Sequence, residues 1–167
     1  DVYKRQVIDW LTELTQLVQT CTEPLTAQAV GMMLYGLQGM KSNCPEVRVL
    51  LRAFPRLVKT CTEPLTAQGV GIMLYGLQGM KSDCPEVRLL LRELSRLVKT
   101  CTKLDVQAVG NMLYGLQGMS SDYPEVRVLL RELPRLVKTC KEKFTAQEIS
   151  NMLYGLQDMK SDCPEVI

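Results

Sequence analysis

Two sets of residues in this chain have the types and spacing to hold a ligand. One is a run of cations at intervals of three or four: Arg48, Arg52, Arg56 and Lys59, then Arg88, Arg92, Arg96 and Lys99, then Arg127, Arg131, Arg135 and Lys138. On a helix that spacing gathers each set on one face. Repeated along a molecule, such a stripe tracks a phosphate backbone with salt-dependent affinity. Arg48, Arg52, Arg88, Arg92, Arg127 and Arg131 are the phosphate-contact candidates. Glu46, Glu86, Glu93, Glu125 and Glu132 lie among the cations, so a solvated, partly neutralised outer face is the alternative. The second set is variable. One position reads Ala29, Gly69, Ala108 and Glu148, and another reads Met32, Ile72, Asn111 and Asn151. Variation confined to one face of near-identical units is what a modular reader shows; free drift of an exposed face gives the same pattern.

The elements that carry these residues are set by a repeat. Leu-Tyr-Gly-Leu-Gln occurs four times, with Tyr35, Tyr75, Tyr114 and Tyr154 at spacings of 40, 39 and 40 residues. A fixed period of this size marks a stacked array. Each unit reads as two helices. The first is expected over about residues 27–40, with Thr26, Thr66, Asp105 and Thr145 as N-caps and Val30, Leu34 and Leu37 as its apolar face. The second is expected from near Cys44-Pro45 to about Thr60, with Val47, Leu50, Leu51, Phe54, Leu57 and Val58 as its stripe. Thr145 with Glu148, and Asp83 with Glu86, have capping-box spacing. Pro55 and Pro134 fall late in the second helix and are expected to kink it. A lone hairpin of this kind cannot bury its apolar faces, whereas stacked neighbours can. The expected fold is all-α, a right-handed α-solenoid of helix-turn-helix repeats.

Three glycines in one helix, Gly31, Gly36 and Gly39, cost on the order of 1 kcal/mol each relative to alanine. Something must offset that. Close helix packing is expected for Gly31; Gly36 and Gly39 fit either packing or close approach of a ligand. At 100° per residue the tyrosines lie near Gln28 and Gln38, towards a neighbouring repeat. Packing between repeats is therefore expected of them, with stacking on bases as the alternative.

Composition narrows the function. Apolar residues make up 46% and charged residues 23%, the balance of a core-forming chain, and the formal charge is only +2. No apolar run is long enough to span a membrane. The seven cysteines keep the repeat register, and Tyr123 fills one of their slots, which argues for free thiols in a reducing compartment. There is no histidine, no Gly-rich phosphate loop and no Gly-x-Ser-x-Gly, so neither an enzyme nor a metal or other cofactor is expected. Residues 7–24 read as the second helix of a truncated repeat, followed by repeats over 25–64, 65–103 and 104–143 and a truncated fourth over 144–167. Residues 1–6 fit no repeat and resemble a translated sequencing-library transposon end, as in a fragment from a shotgun assembly. Exposed apolar repeat ends, and self-association through them, are expected.

Phe144-Thr-Ala-Gln-Glu-Ile-Ser-Asn-Met-Leu-Tyr-Gly-Leu-Gln-Asp-Met159 resembles the first helix of octotricopeptide-type repeats, whose phrase is of the sort Phe-Ser-x-Gln-Glu-Leu-Ala-Asn-Leu-Leu-Trp-Ala-Leu-Ala-x-Leu. The likeness covers residues 25–167, and Pro-Glu at 45–46, 85–86, 124–125 and 164–165 is similar to the family's Pro-Pro-Pro-Glu-Trp stretch. Tyrosine stands where the family has tryptophan. The resemblance implies sequence-specific binding of single-stranded RNA, about one base per repeat, in organellar transcript processing, stability or translation. It implies a mitochondrion or chloroplast; without it, the cytoplasm is expected. Carried onto this chain, the base contacts fall on Gln28, Ala29 and Met32, on Gln68, Gly69 and Ile72, on Gln107, Ala108 and Asn111, and on Gln147, Glu148 and Asn151. A protein-binding scaffold of the α-solenoid type is the alternative.

Overall fold

The computed structural model describes residues 2–162. The described residues are all-helical, with eight helices and no strand: α1 (Val2–Thr20), α2 (Ala27–Tyr35), α3 (Pro45–Lys59), α4 (Ala67–Tyr75), α5 (Pro85–Val98), α6 (Val106–Gly115), α7 (Pro124–Val137) and α8 (Ala146–Tyr154). The first helices α2, α4, α6 and α8 pack against one another in chain order, and so do α1, α3, α5 and α7. Side chains from the two rows meet in one core that includes Val30, Leu34, Val47, Leu51, Leu74, Leu91, Leu113 and Leu130.

The expected caps form at the first helices. Thr26, Thr66 and Asp105 accept from the backbone amides of Ala29, Gly69 and Ala108. Thr145 and Glu148 close the capping box. The Asp83–Glu86 box does not form: Cys84 is the N-cap of α5, without a side-chain cap bond, and Glu86 is engaged elsewhere. The first helix also ends earlier than expected, at Tyr35 and its counterparts. Beyond it the backbone tightens to i→i+3 bonds, with Leu37 N–H on Leu34 O at 2.9 Å and Met40 N–H on Leu37 O at 2.8 Å. The second helices run through Pro55 and Pro134. In α5, Ser95 occupies that slot and bonds Leu91 O at 2.8 Å.

Much of what is constant between copies joins one repeat to the next. Thr60, Thr100 and Thr139 each accept from a connector amide 35 residues back, those of Leu25, Leu65 and Leu104, each at 2.9 Å. The buried hydroxyls of Ser42, Ser82 and Ser121 accept from the amides of Lys81, Ser120 and Lys160. Gly36 and Gly39 themselves meet no other repeat, but their counterparts in the later units belong to the same boundaries. A Cβ on Gly76, Gly115 or Gly155 would fall on the carbonyl oxygen of Leu34, Leu74 or Leu113, and one on Gly79 or Gly118 on that of Met40 or Met80. Backbone therefore rests directly on backbone along the first-helix row. No described glycine has positive φ, so close approach is what requires glycine here.

α1 runs without a break from Val2 through the residues that fit no repeat. Trp10 and Leu17 on it are exposed, and α8 has no buried residue and leaves Ile149 and Leu153 exposed. These are the apolar surfaces expected at the first and last units. The six described cysteines are unpaired; Cys163, like the last Pro-Glu pair, lies outside the described residues. No described helix is long and apolar enough to cross a membrane.

Candidate nucleic-acid interface

Helical geometry divides the first helix into four faces. At about 100° per residue, positions 28, 32 and 35 share one direction. Positions 29 and 36 lie about 90° to one side, position 31 about 60° to the other, and 30, 34 and 37 opposite. The last set is core. Positions 29 and 36 meet the preceding repeat, and position 31 meets the following one. Thus a Cβ on Gly71 would sit 2.9 Å from Cα of Ala108, and one on Gly31 would sit 3.0 Å from Cδ1 of Ile72. Ala108 is buried against Gly71, so its side chain does not reach the outer surface as the sequence reading expects. Its direction on the helix, towards the preceding repeat, is the reason.

The remaining face, with positions 28, 32 and 35, lines a surface groove. One cleft of about 400 Å³ is bounded by Met32, Tyr35, Gln68, Ile72, Tyr75, Gln107 and Asn111. The next, of about 360 Å³, is bounded by Tyr75, Val106, Gln107, Gly110, Asn111, Tyr114, Glu148 and Asn151. Seven of the expected base contacts thus come together: Met32, Gln68, Ile72, Gln107, Asn111, Glu148 and Asn151. Gln28 and Gln147 are exposed beside them, whereas Ala29 and Gly69 line neither cleft. Gln147 Nε2 donates to Asn151 Oδ1 at 3.1 Å. The Glu148 carboxylate accepts from the Thr145 amide at 2.6 Å.

The tyrosines form a continuous stack along the groove. Ring centroids lie 6.0 Å apart for Tyr35–Tyr75, 5.7 Å for Tyr75–Tyr114 and 6.1 Å for Tyr114–Tyr154, with interplanar angles of 26°, 21° and 27°. They pack between repeats, as expected, and also line the clefts, which the site assignment from sequence left out. The signal was present: tyrosine lies three residues after position 32 and seven after position 28, on one helix face. A flat ring inserted between two rungs needs about 7 Å, twice a van der Waals contact. The rungs are closer than that. The stack therefore offers a ligand its edges and hydroxyls, not the spaces within it.

No family model, curated protein or solved structure matches this chain. The functional reading accordingly rests on geometry and on the sequence pattern.

The arginine stripe has internal partners. Arg56, Arg96 and Arg135 reach back to the end of the preceding second-row helix: Arg56 donates to Val18, Gln19 and Cys21 carbonyls, Arg96 to Val58 and Cys61, and Arg135 to Lys99 and Cys101. There they cap carbonyls and complement the negative helix terminus. Arg48 and Arg52 converge on Glu86, at 3.1 and 2.7 Å, and Arg92 meets Glu125 at 2.7 Å. Arg88 and Arg127 bond the turn before their own helix, Arg88 to Ser82 and Asp83 carbonyls and Arg127 to Ser121 and Asp122. Arg88 also lies over the Tyr123 ring at 4.7 Å. Arg131 is engaged as well. Hydrogen bonds from Arg52 and Cys84, joined by Arg48, hold the Glu86 carboxyl at about 2. At Glu125 burial acts to raise the pKa, but a backbone amide and Arg92 outweigh it and the group titrates lower than usual. Side chains of Arg48, Arg52 and Arg92 remain 44–64% exposed, so their charge is still available to a ligand. Among the described residues no three Cys, Asp or Glu side chains gather to hold a metal.

Proposed function

We propose that the chain forms an α-solenoid, right-handed as its helix-turn-helix repeats lead one to expect, and that it binds single-stranded RNA along its first-helix row. The observation that carries this reading is the groove: a stack of four tyrosines beside a position that changes from repeat to repeat through Met32, Ile72, Asn111 and Asn151. A constant row of tyrosine edges and hydroxyls offers every base the same contact, and a variable side chain beside it distinguishes one base from another.

Glycines that set first-helix backbone on backbone hold the successive rungs of the groove in register. Arg52 and Arg92 supply positive field from the opposite row. An organellar transcript is the ligand that the resemblance to octotricopeptide repeats implies.

The test is retention of a random single-stranded RNA pool by the purified chain at low and high salt, with the bound RNA sequenced. Enrichment of a short motif that is lost as salt rises supports the reading. Failure to retain RNA at low salt by a stably helical chain overturns it and favours a protein ligand for the groove.

A further inference from the structure

The four first helices do not offer the groove the same chemistry. Met32 is 58% exposed and Ile72 is half-buried. The end of the Ile72 side chain fills the space over Gly31, which ties it to inter-helix packing. A thioether is adaptable and packs against any flat apolar surface without choosing among them. A carboxamide is selective. Its donor and acceptor match one base edge and leave unpaired polar atoms against another.

Both amides lie in the third and fourth units. Asn111 lines both clefts, and none of the hydrogen bonds among the described residues involves its side chain. That leaves its donor and acceptor to a ligand in the groove. Asn151 accepts from Gln147, one turn earlier, which orients its amide and leaves its N–H groups to a ligand. The tyrosines one turn after them on the same helices, Tyr114 and Tyr154, are 6.1 Å apart, so the two amides serve successive ligand units.

We infer that the array reads its ligand unevenly: Asn111 and Asn151 fix base identity at two adjacent positions, while the Met32 and Ile72 units hold the neighbouring bases without selecting among them. This rests on the RNA reading above. It states where in the chain the information resides.

The experiment is selection from a random single-stranded RNA pool by the unmodified chain, Asn111→Ala, Asn151→Ala and Met32→Asn, each checked for an unchanged helical spectrum. The unmodified chain is expected to enrich two adjacent informative positions flanked by degenerate ones. Each Asn→Ala change erases one of them and weakens binding to the selected motif on the order of 5- to 100-fold. Met32→Asn, at an exposed position, adds an informative position separated from the first two by one degenerate base. Information spread evenly over four positions, or unchanged in both Asn variants, overturns this inference and leaves RNA binding standing. No retained RNA at low salt removes the RNA reading and this inference together.

Discussion

Gly115 lies so close to the carbonyl oxygen of Leu74 that no methyl group fits between α6 and α4. Gly76 has the same relation to Leu34, and Gly155 to Leu113. Alanine is worth up to about 1 kcal/mol more than glycine in a helix interior. Here a backbone atom of the neighbouring repeat blocks that gain. Gly115→Ala is expected to destabilise by about 1–3 kcal/mol, the range for overpacking. Gly110, in the same helix, has nothing within 4 Å of an added Cβ. Gly110→Ala is expected to be neutral or to stabilise by up to about 1 kcal/mol. Urea unfolding of the two variants decides the matter: equal effects would mean that the row does not pack backbone on backbone.

Glu86 couples stability to acid. Its carboxyl titrates at about 2 because Arg52, Cys84 and Arg48 bond the charged form. A carboxyl depressed in the folded state stabilises above its unfolded pKa, the ordinary 4.5, and loses that contribution as pH falls towards 2. The melting temperature should therefore fall across that window. Glu86→Gln should flatten the fall and cost about 2 kcal/mol at neutral pH, since two guanidinium groups lose their carboxylate. An unchanged acid profile in the variant would show that other carboxylates dominate.

The fold was legible because the repeat constrains it strongly. The tyrosine spacing gave the period, Thr26 and Thr145 gave helix starts, and the Val30/Leu34/Leu37 face gave the core side. What was not legible depends on a neighbour roughly 40 residues away. Glu86 has capping-box spacing with Asp83, yet Arg48 and Arg52 of the preceding helix take its carboxylate. Gly36 and Gly39 looked open to a ligand because their counterparts' partners, Leu34 and Met40, sit in another repeat. Ala108 looked exposed for the same reason. The groove was half legible: one face angle joined positions 28 and 32, and the tyrosine on that face was expected to pack between repeats, with a ligand contact only as the alternative, although it both packs and lines the clefts.

The arginines divide into two kinds that substitution should separate. Arg96 donates to the Val58 and Cys61 carbonyls at 3.1 and 3.2 Å, holding the end of the preceding second-row helix. Arg96→Gln should cost about 1–3 kcal/mol of stability and leave RNA affinity unchanged while the chain is folded. Arg92 is 64% exposed and paired to Glu125. Arg92→Gln should change stability little, weaken all RNA sequences alike, and lower the salt slope by about 0.7. Titrations at several salt concentrations with folded protein measure both. A larger loss of RNA affinity in the Arg96 variant would mean that the capping arginines face the ligand after all.

Tyr75 is the rung with a neighbour on each side, at 6.0 and 5.7 Å, and it borders both clefts. Its ring therefore has two roles that conservative changes resolve. Tyr75→Phe keeps both stacks and removes the hydroxyl; it should leave stability within about 1 kcal/mol and alter RNA affinity only through that group. Tyr75→Leu keeps most of the apolar volume and loses both stacks, each worth about 0.5–1.5 kcal/mol, so it should unfold earlier than the Phe variant. It also removes an aromatic edge from both clefts, and its RNA affinity should fall below that of the Phe variant for every sequence tested. Denaturation and RNA titration on the same samples give the answer. A Leu variant that is destabilised but binds RNA as the Phe variant does would make the tyrosine stack a packing device only, and would move the ligand away from the first-helix row.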